Sequence, residues 1–228
     1  MIDRTVFFNT IRTAPFGGSL STGQVDGMNR ILDEWIRSQI PDLRFLAYML
    51  STVFHETAFT MQPIREMGSE DYLRSKPYYP WVGEGLVQVT WETNARKFGA
   101  TAPGQLLSWP LCLKPLFDGM TRGLFTGKRL ADYFNATTDD PVNARRIING
   151  TDKANTIAHY HSLFLSALKA AEMPTTAPTA PTPILTHVDA PQAGKPLPSA
   201  PLPYSEGPLA AILRLLTTLL TTMFPRKV

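Results

Sequence analysis

The stretch "PDLRFLAYMLSTVFHETAFTMQPIREMG", residues 41–68, decides how this chain is read. Asp42 stands where a helix N-cap belongs, and Leu43, Leu46, Ala47, Leu50 and Phe54 form one apolar stripe at helical spacing. Pro63 disfavours helical backbone at Gln62 and carries no donor, so the helix is expected to stop before it. Glu56 falls towards the end of that helix, and Glu66 lies beyond the proline, ten positions on. On one straight helix ten residues span roughly 15 Å. A turn at Pro63 lets Glu66 come back across a cleft towards Glu56. Inverting glycosidases use two carboxyl groups roughly 6.5–9.5 Å apart with a water between them. A carboxyl at the end of a mostly apolar helix is expected to be partly desolvated, a setting that suits a general acid. Spacing alone fits two ordinary solvated carboxylates as well.

Helical patterns flank this stretch on both sides. Upstream, "STGQVDGMNRILDEWIRSQI" opens on Ser21/Thr22, which can cap, and sets Val25, Met28, Leu32 and Trp35 at helical spacing. Downstream, "WETNARKFG" predicts a short helix stopped by Gly99. "DDPVNARRIING" predicts a capped helix ending at Gly150, and "TDKANTIAHYHSLFLSALKAAE" a final helix. Between them "GEGLVQVT", residues 83–90, has glycines and then alternating β-branched residues, which predicts a turn and a short strand or hairpin arm. With no βαβ alternation, the expected fold class is mainly α with a small β element.

Composition bounds the rest. Residues 1–172 carry 18 basic and 17 acidic side chains, so the domain presents no basic face for nucleic acid. Cys112 is the single cysteine; it lies in the apolar run "SWPLCLKP" and is expected to be a core residue. The start "MIDRTVFFNTIR" lacks the basic and apolar regions of a signal peptide. "HETAF" opens like the zinc motif H-E-x-x-H, but Phe59 replaces the second ligand, so no metal and no cofactor are expected. His159 and His161 fall on different sides of a helix and are expected to be partly buried or surface residues.

Composition shifts near Met173. Residues 173–208 hold 10 of the chain's 20 prolines and predict an extended, semi-rigid linker after a domain at 1–172. Residues 209–225, beginning "LAAILRLLTTLLTTMF", predict a helix with Arg214 and four threonines on one side and Leu, Ile, Met and Phe on the other. The apolar run of 16 residues is short of the roughly 20 that span a bilayer. A short membrane anchor, an interfacial amphipathic helix and a helix docking on a protein partner, such as a virion protein, all fit it.

Three blocks in order, "AYMLSTVFHETAFTMQPIREMG", "GEGLVQVTWETNARKFG" and "ARRIINGTDKANTIAHY", resemble the family 19 glycoside hydrolases, in particular phage endolysins and the bacterial muramidase-like or chitinase-like members. The opening "FFNTIRTAPFGGSLSTGQVDGMNRILDEW" is similar to the N-terminal part of such lysins, so the resemblance covers about residues 4–170. It implies a lysozyme-like, two-lobed helical domain with a cleft and a small β region beside it. By the same resemblance Glu56 matches the general acid, and Glu66 best matches the carboxylate that activates water, with Glu70 or Asp71 as alternatives. Gln88 and Thr90 match polar cleft residues, Thr90 helping to hold the water. Asn94 and Asn149 match sugar contacts, and His55 a supporting hydrogen-bonding residue. One position departs from the family: Gly83-Glu84-Gly85 stands where Gly-Arg-Gly is common. Glu84 then points to solvent, pairs with Arg65, Arg145 or Arg146, or alters the working pH; loss of activity is a further outcome.

The function these features imply is hydrolysis of β-1,4 bonds between amino sugars of peptidoglycan, at the cell wall in the periplasm. Chitin is the rival substrate, lytic transglycosylation the rival mechanism, and a non-catalytic virion protein the rival class.

Overall fold

The computed structural model describes residues 1–109 and 111–172. The expected linker at 173–208 and helix at 209–225 lie outside the described residues. The described chain is mainly helical, with helices α1 (Arg4–Thr13), α2 (Thr22–Ser38), α3 (Leu43–Glu56), α4 (Glu70–Arg74), α5 (Glu92–Lys97), α6 (Met120–Arg122), α7 (Leu130–Tyr133) and α8 (Ala154–Ala171). Its only sheet pairs β1 (Ile64–Arg65) antiparallel with β2 (Glu84–Gly85), Arg65 opposite Glu84.

The helix starts follow from their caps. Ser21 and Gln24 form a reciprocal capping box at α2, and Asp42 accepts from the Arg44 amide at α3. Ser51 and Thr52 are buried together with Leu46, Ala47, Leu50, Val53 and Phe54, so α3 is enclosed on nearly every side. Its principal partner is α8, which also carries α1. Phe54 meets Phe164 and Tyr160 of α8 edge-on, with centroids 5.9 and 4.8 Å apart. Asp3 donates its amide to the Ala171 carbonyl at 2.8 Å, so the first and last described helices are tied at one end.

Three expectations are refined. The α3 helix ends at Glu56, well before Pro63, because Ala58, Phe59 and Met61 turn into the left-handed region. Thr57 locks this exit: its hydroxyl donates to the Val53 carbonyl at 2.7 Å and accepts from the Met61 amide at 3.1 Å. The exit loop lies so close to α2 that a Cβ on Gly27 would overlap the Met61 carbonyl oxygen. "DDPVNARRIING" forms only a 3-10 turn, Asn143–Ile147, instead of the expected helix. Val142, Asn143, Ile147, Ile148 and Asn149 are all weak helix formers, and short pieces of this kind tighten to i→i+3 bonding. The expected strand in "GEGLVQVT" shortens to Glu84–Gly85, closed by a bridge from Glu84 to Val89.

Cys112 is buried, and burial pushes its thiol up to about 12, as a core residue requires. His161 is buried against Phe134, ring stacked at 5.1 Å, and desolvation lowers it to about 4, whereas His159 is exposed.

Candidate active site

The end of α3, the segments flanking the β1–β2 pair and residues 148–149, just after the 3-10 turn at 143–147, converge on one cleft. A cavity of about 470 Å³ is lined by His55, Glu56, Glu66, Tyr78, Gly83, Gln88 and Thr90, among others. A second, of about 320 Å³, is lined by Glu56, Gln88, Thr90, Trp91, Asn94, Phe125 and Asn149, among others. Glu56, Gln88 and Thr90 belong to both, so the two cavities are halves of one groove with Glu56 at their junction. All seven residues expected from the sequence line this groove.

Glu56 is paired, a contact its helical pattern did not suggest. Arg145 donates from Nη1 to Glu56 Oε1 at 2.7 Å; the two side chains are 6% and 16% exposed. Arg145 Nε is held in turn by the Asp152 carbonyl at 3.1 Å. The tight turn at residues 143–147 therefore fixes the guanidinium against Glu56, and the pair is a charge-assisted bond shielded from most solvent. His55 beside it is half-buried, and desolvation is the main cause of its lowered pKa, so it is neutral at physiological pH.

Glu66 is held at both oxygens. Tyr78 donates its hydroxyl to Oε1 at 3.0 Å, and the Gly83 amide donates to Oε2 at 2.9 Å. The Glu66 amide donates back to the Gly83 carbonyl at 2.6 Å. Gly83 allows this closeness, because a Cβ there would meet Gln88 Oε1 at 2.9 Å and Glu66 Oε2 at 3.4 Å. Gln88 itself sits at φ +52°, donating Nε2 to the carbonyls of Ile64 and Gly85 at 3.0 and 3.1 Å. It thereby ties the β pair to the groove wall. The alternatives to Glu66 fall away on position: Glu70 is exposed, bound to Tyr79, Arg65 and Arg74, and neither it nor Asp71 lines the groove.

Thr90 donates its hydroxyl to the Gln88 carbonyl at 3.2 Å, which leaves its oxygen facing the groove as an acceptor. Asn94 caps the Thr90 carbonyl at 3.0 Å and accepts from Lys97 at 3.0 Å. Asn149 is exposed at the other wall.

Glu84 neither points to solvent nor pairs with an arginine among the described residues. It is 4% exposed, lines neither cavity, and accepts from the Gly104 amide at 2.5 Å. Arg145, one of its expected partners, is engaged by Glu56, and Glu84 forms no ion pair among the described residues. Burial raises its pKa, opposed by the amides of Gly104 and Leu106 and by Arg65. Glu84 is therefore a staple between β2 and the 104–107 turn, not a third carboxylate in the groove.

Sequence reasoning missed Tyr78 and Gly83 as holders of Glu66, and Arg145 as the partner of Glu56. Among the described residues no group of three His, Cys, Asp or Glu side chains is placed to hold a metal ion. No helix among them is long and apolar enough to cross a membrane. Comparison with protein-family models, with characterised proteins and with solved structures finds no match to this chain.

Proposed function

We propose that this chain is a peptidoglycan hydrolase that cleaves β-1,4 bonds between amino sugars, on a lysozyme-like two-lobed domain. One observation carries the reading: Glu56 and Glu66, held by different partners, line the same cavity with Gln88 and Thr90 between the two halves of the groove. The ordered resemblance of three sequence blocks to family 19 glycoside hydrolases supports it.

In this mechanism the protonated form of Glu56 gives its proton to the glycosidic oxygen, and the C1–O electron pair leaves with that oxygen. The Arg145 guanidinium faces the carboxylate that results and stabilises it. A water donates its hydrogens to Glu66 and to the Thr90 oxygen and adds to the opposite face of C1, with Glu66 taking the proton. The anomeric configuration inverts. A second carboxylate in the groove favours hydrolysis over a transglycosylase that works with one glutamate. Gln88 and Asn94 offer their amide oxygens, and Asn149 its amide nitrogen, to hydroxyl and N-acetyl groups. The partner is the glycan strand of the cell wall in the periplasm, and residues 209–225 associate with a membrane or a virion protein.

Glu56→Gln keeps an acceptor for Arg145 and removes the proton donor. The variant is expected to retain its near-ultraviolet circular dichroism and to lose lysis of purified peptidoglycan by at least about 100-fold. Full activity would sink the proposal. Mass spectrometry of the released fragments separates the rivals: reducing ends mark a hydrolase, anhydro ends a transglycosylase, and turnover confined to chitin a chitinase.

A further inference from the structure

We propose that Trp91 is a sugar-stacking platform, a binding subsite for a pyranose ring beside the bond that is cut; the inference rests on the glycan reading above. Trp91 lines the half of the groove that contains Asn94 and Asn149, yet 47% of it is exposed. Its backbone stands at φ +76°, a region costly for a bulky side chain and easy for glycine. Three main-chain bonds hold it there. Its amide donates to the Trp81 carbonyl at 2.9 Å, and its carbonyl accepts from the amides of Asn94 and Ala95 at 3.1 and 3.0 Å. The chain thus holds a strained residue whose large apolar ring is left half in water. The strain is not explained by core packing, because a buried ring would not be exposed to this extent.

The surroundings name the ligand chemistry. The Tyr78 ring meets Trp91 edge-on, with centroids 5.6 Å apart and planes at 69°. Tyr78 lines the other half of the groove and donates to Glu66, so the indole is braced by the residue that holds the candidate base. Around it stand amides and a hydroxyl: Asn94, Asn149, Gln88 and Thr90. A pyranose ring has an apolar C–H face and a polar hydroxyl edge, and an aromatic face bordered by amides is complementary to both. Binding energy gained on this ring, away from the bond that breaks, serves to orient the sugar at Glu56.

The test uses the Glu56→Gln protein, in which turnover is stopped, titrated by calorimetry with chitohexaose and with peptide-free peptidoglycan glycan strands. Adding Trp91→Gly, which suits the backbone and removes the ring, is expected to weaken binding about tenfold for the preferred polymer. Trp91→Phe is expected to weaken it by less than about threefold. An unchanged Kd in the glycine variant overturns the platform while leaving the glycan reading in place. A Glu56→Gln protein that binds neither polymer overturns both. A readout free of any Trp91 variant is oxidation by N-bromosuccinimide, located by peptide mass spectrometry. Saturating glycan is expected to protect Trp91, and oxidation at the unprotected rate overturns the proposal even if the glycine variant misfolds.

Discussion

Arg145 and Glu56 meet across 89 residues of chain, and their bond shows what single side chains contribute to the groove. Both are largely withdrawn from water, so removing one leaves the other charged and poorly solvated. Arg145→Ala is therefore expected to destabilise the domain by about 3 kcal/mol, a fall in Tm of roughly 6–12 °C. Differential scanning calorimetry checks this, and a shift under about 2 °C would show the pair to be of little structural weight. Glu56 was legible in the sequence because it sits on a strong helical pattern beside blocks with a family resemblance. Its partner was not. Arg145 was one of several arginines able to reach a carboxylate, and the sequence carried no signal to choose between Glu56 and Glu84. That choice is made by the 3-10 turn at 143–147, whose own tightness went unread because the pattern there also fits a helix.

At the scale of elements, β2 and the 104–107 turn are joined by the buried carboxyl of Glu84. Its folded pKa lies above the ordinary glutamate value of 4.5 because burial disfavours the charge. The native state then binds more protons than the unfolded chain, so this group's contribution is fully present below about pH 4.5 and is lost as pH rises through the folded value. Glu84→Gln keeps an acceptor for the Gly104 amide and removes the charge. The variant is expected to melt higher than the parent at pH 7–8 and to show little difference at pH 4. Equal shifts at both pH values would mean that the ionisation is immaterial. Helix existence was plain in the sequence wherever a cap and an apolar stripe coincided, as at Ser21 and Asp42. The endings were harder. The α3 exit is set by three left-handed residues and by Gly27 of another helix, a tertiary constraint that a proline seven residues after the helix end could only approximate.

At the scale of the whole molecule, Met1–Met173 cluster as one compact unit, closed by the bond between Asp3 and Ala171. The proline-rich composition that follows supplies little apolar surface for a core. A chain truncated after Met173 is accordingly expected to keep its thermal midpoint within about 2 °C. A larger fall, measured by the same calorimetry, would show that residues 174–228 contribute to the fold. The domain boundary was readable because composition changes abruptly. The groove as a connected object was not, since its walls come from separate stretches of chain scattered between His55 and Asn149.

The separation between Glu56 and its guanidinium also bears on the order of events during synthesis. At roughly 5–20 residues per second, the ribosome delivers Arg145 some 4–18 seconds after Glu56 has been joined. Until then the α3 terminus has no counter-ion, and α8, the helix that α3 packs against, has not been made. A nascent chain therefore cannot pair Glu56 or pack the inner face of α3 until the stretch from Arg145 through α8 has been made.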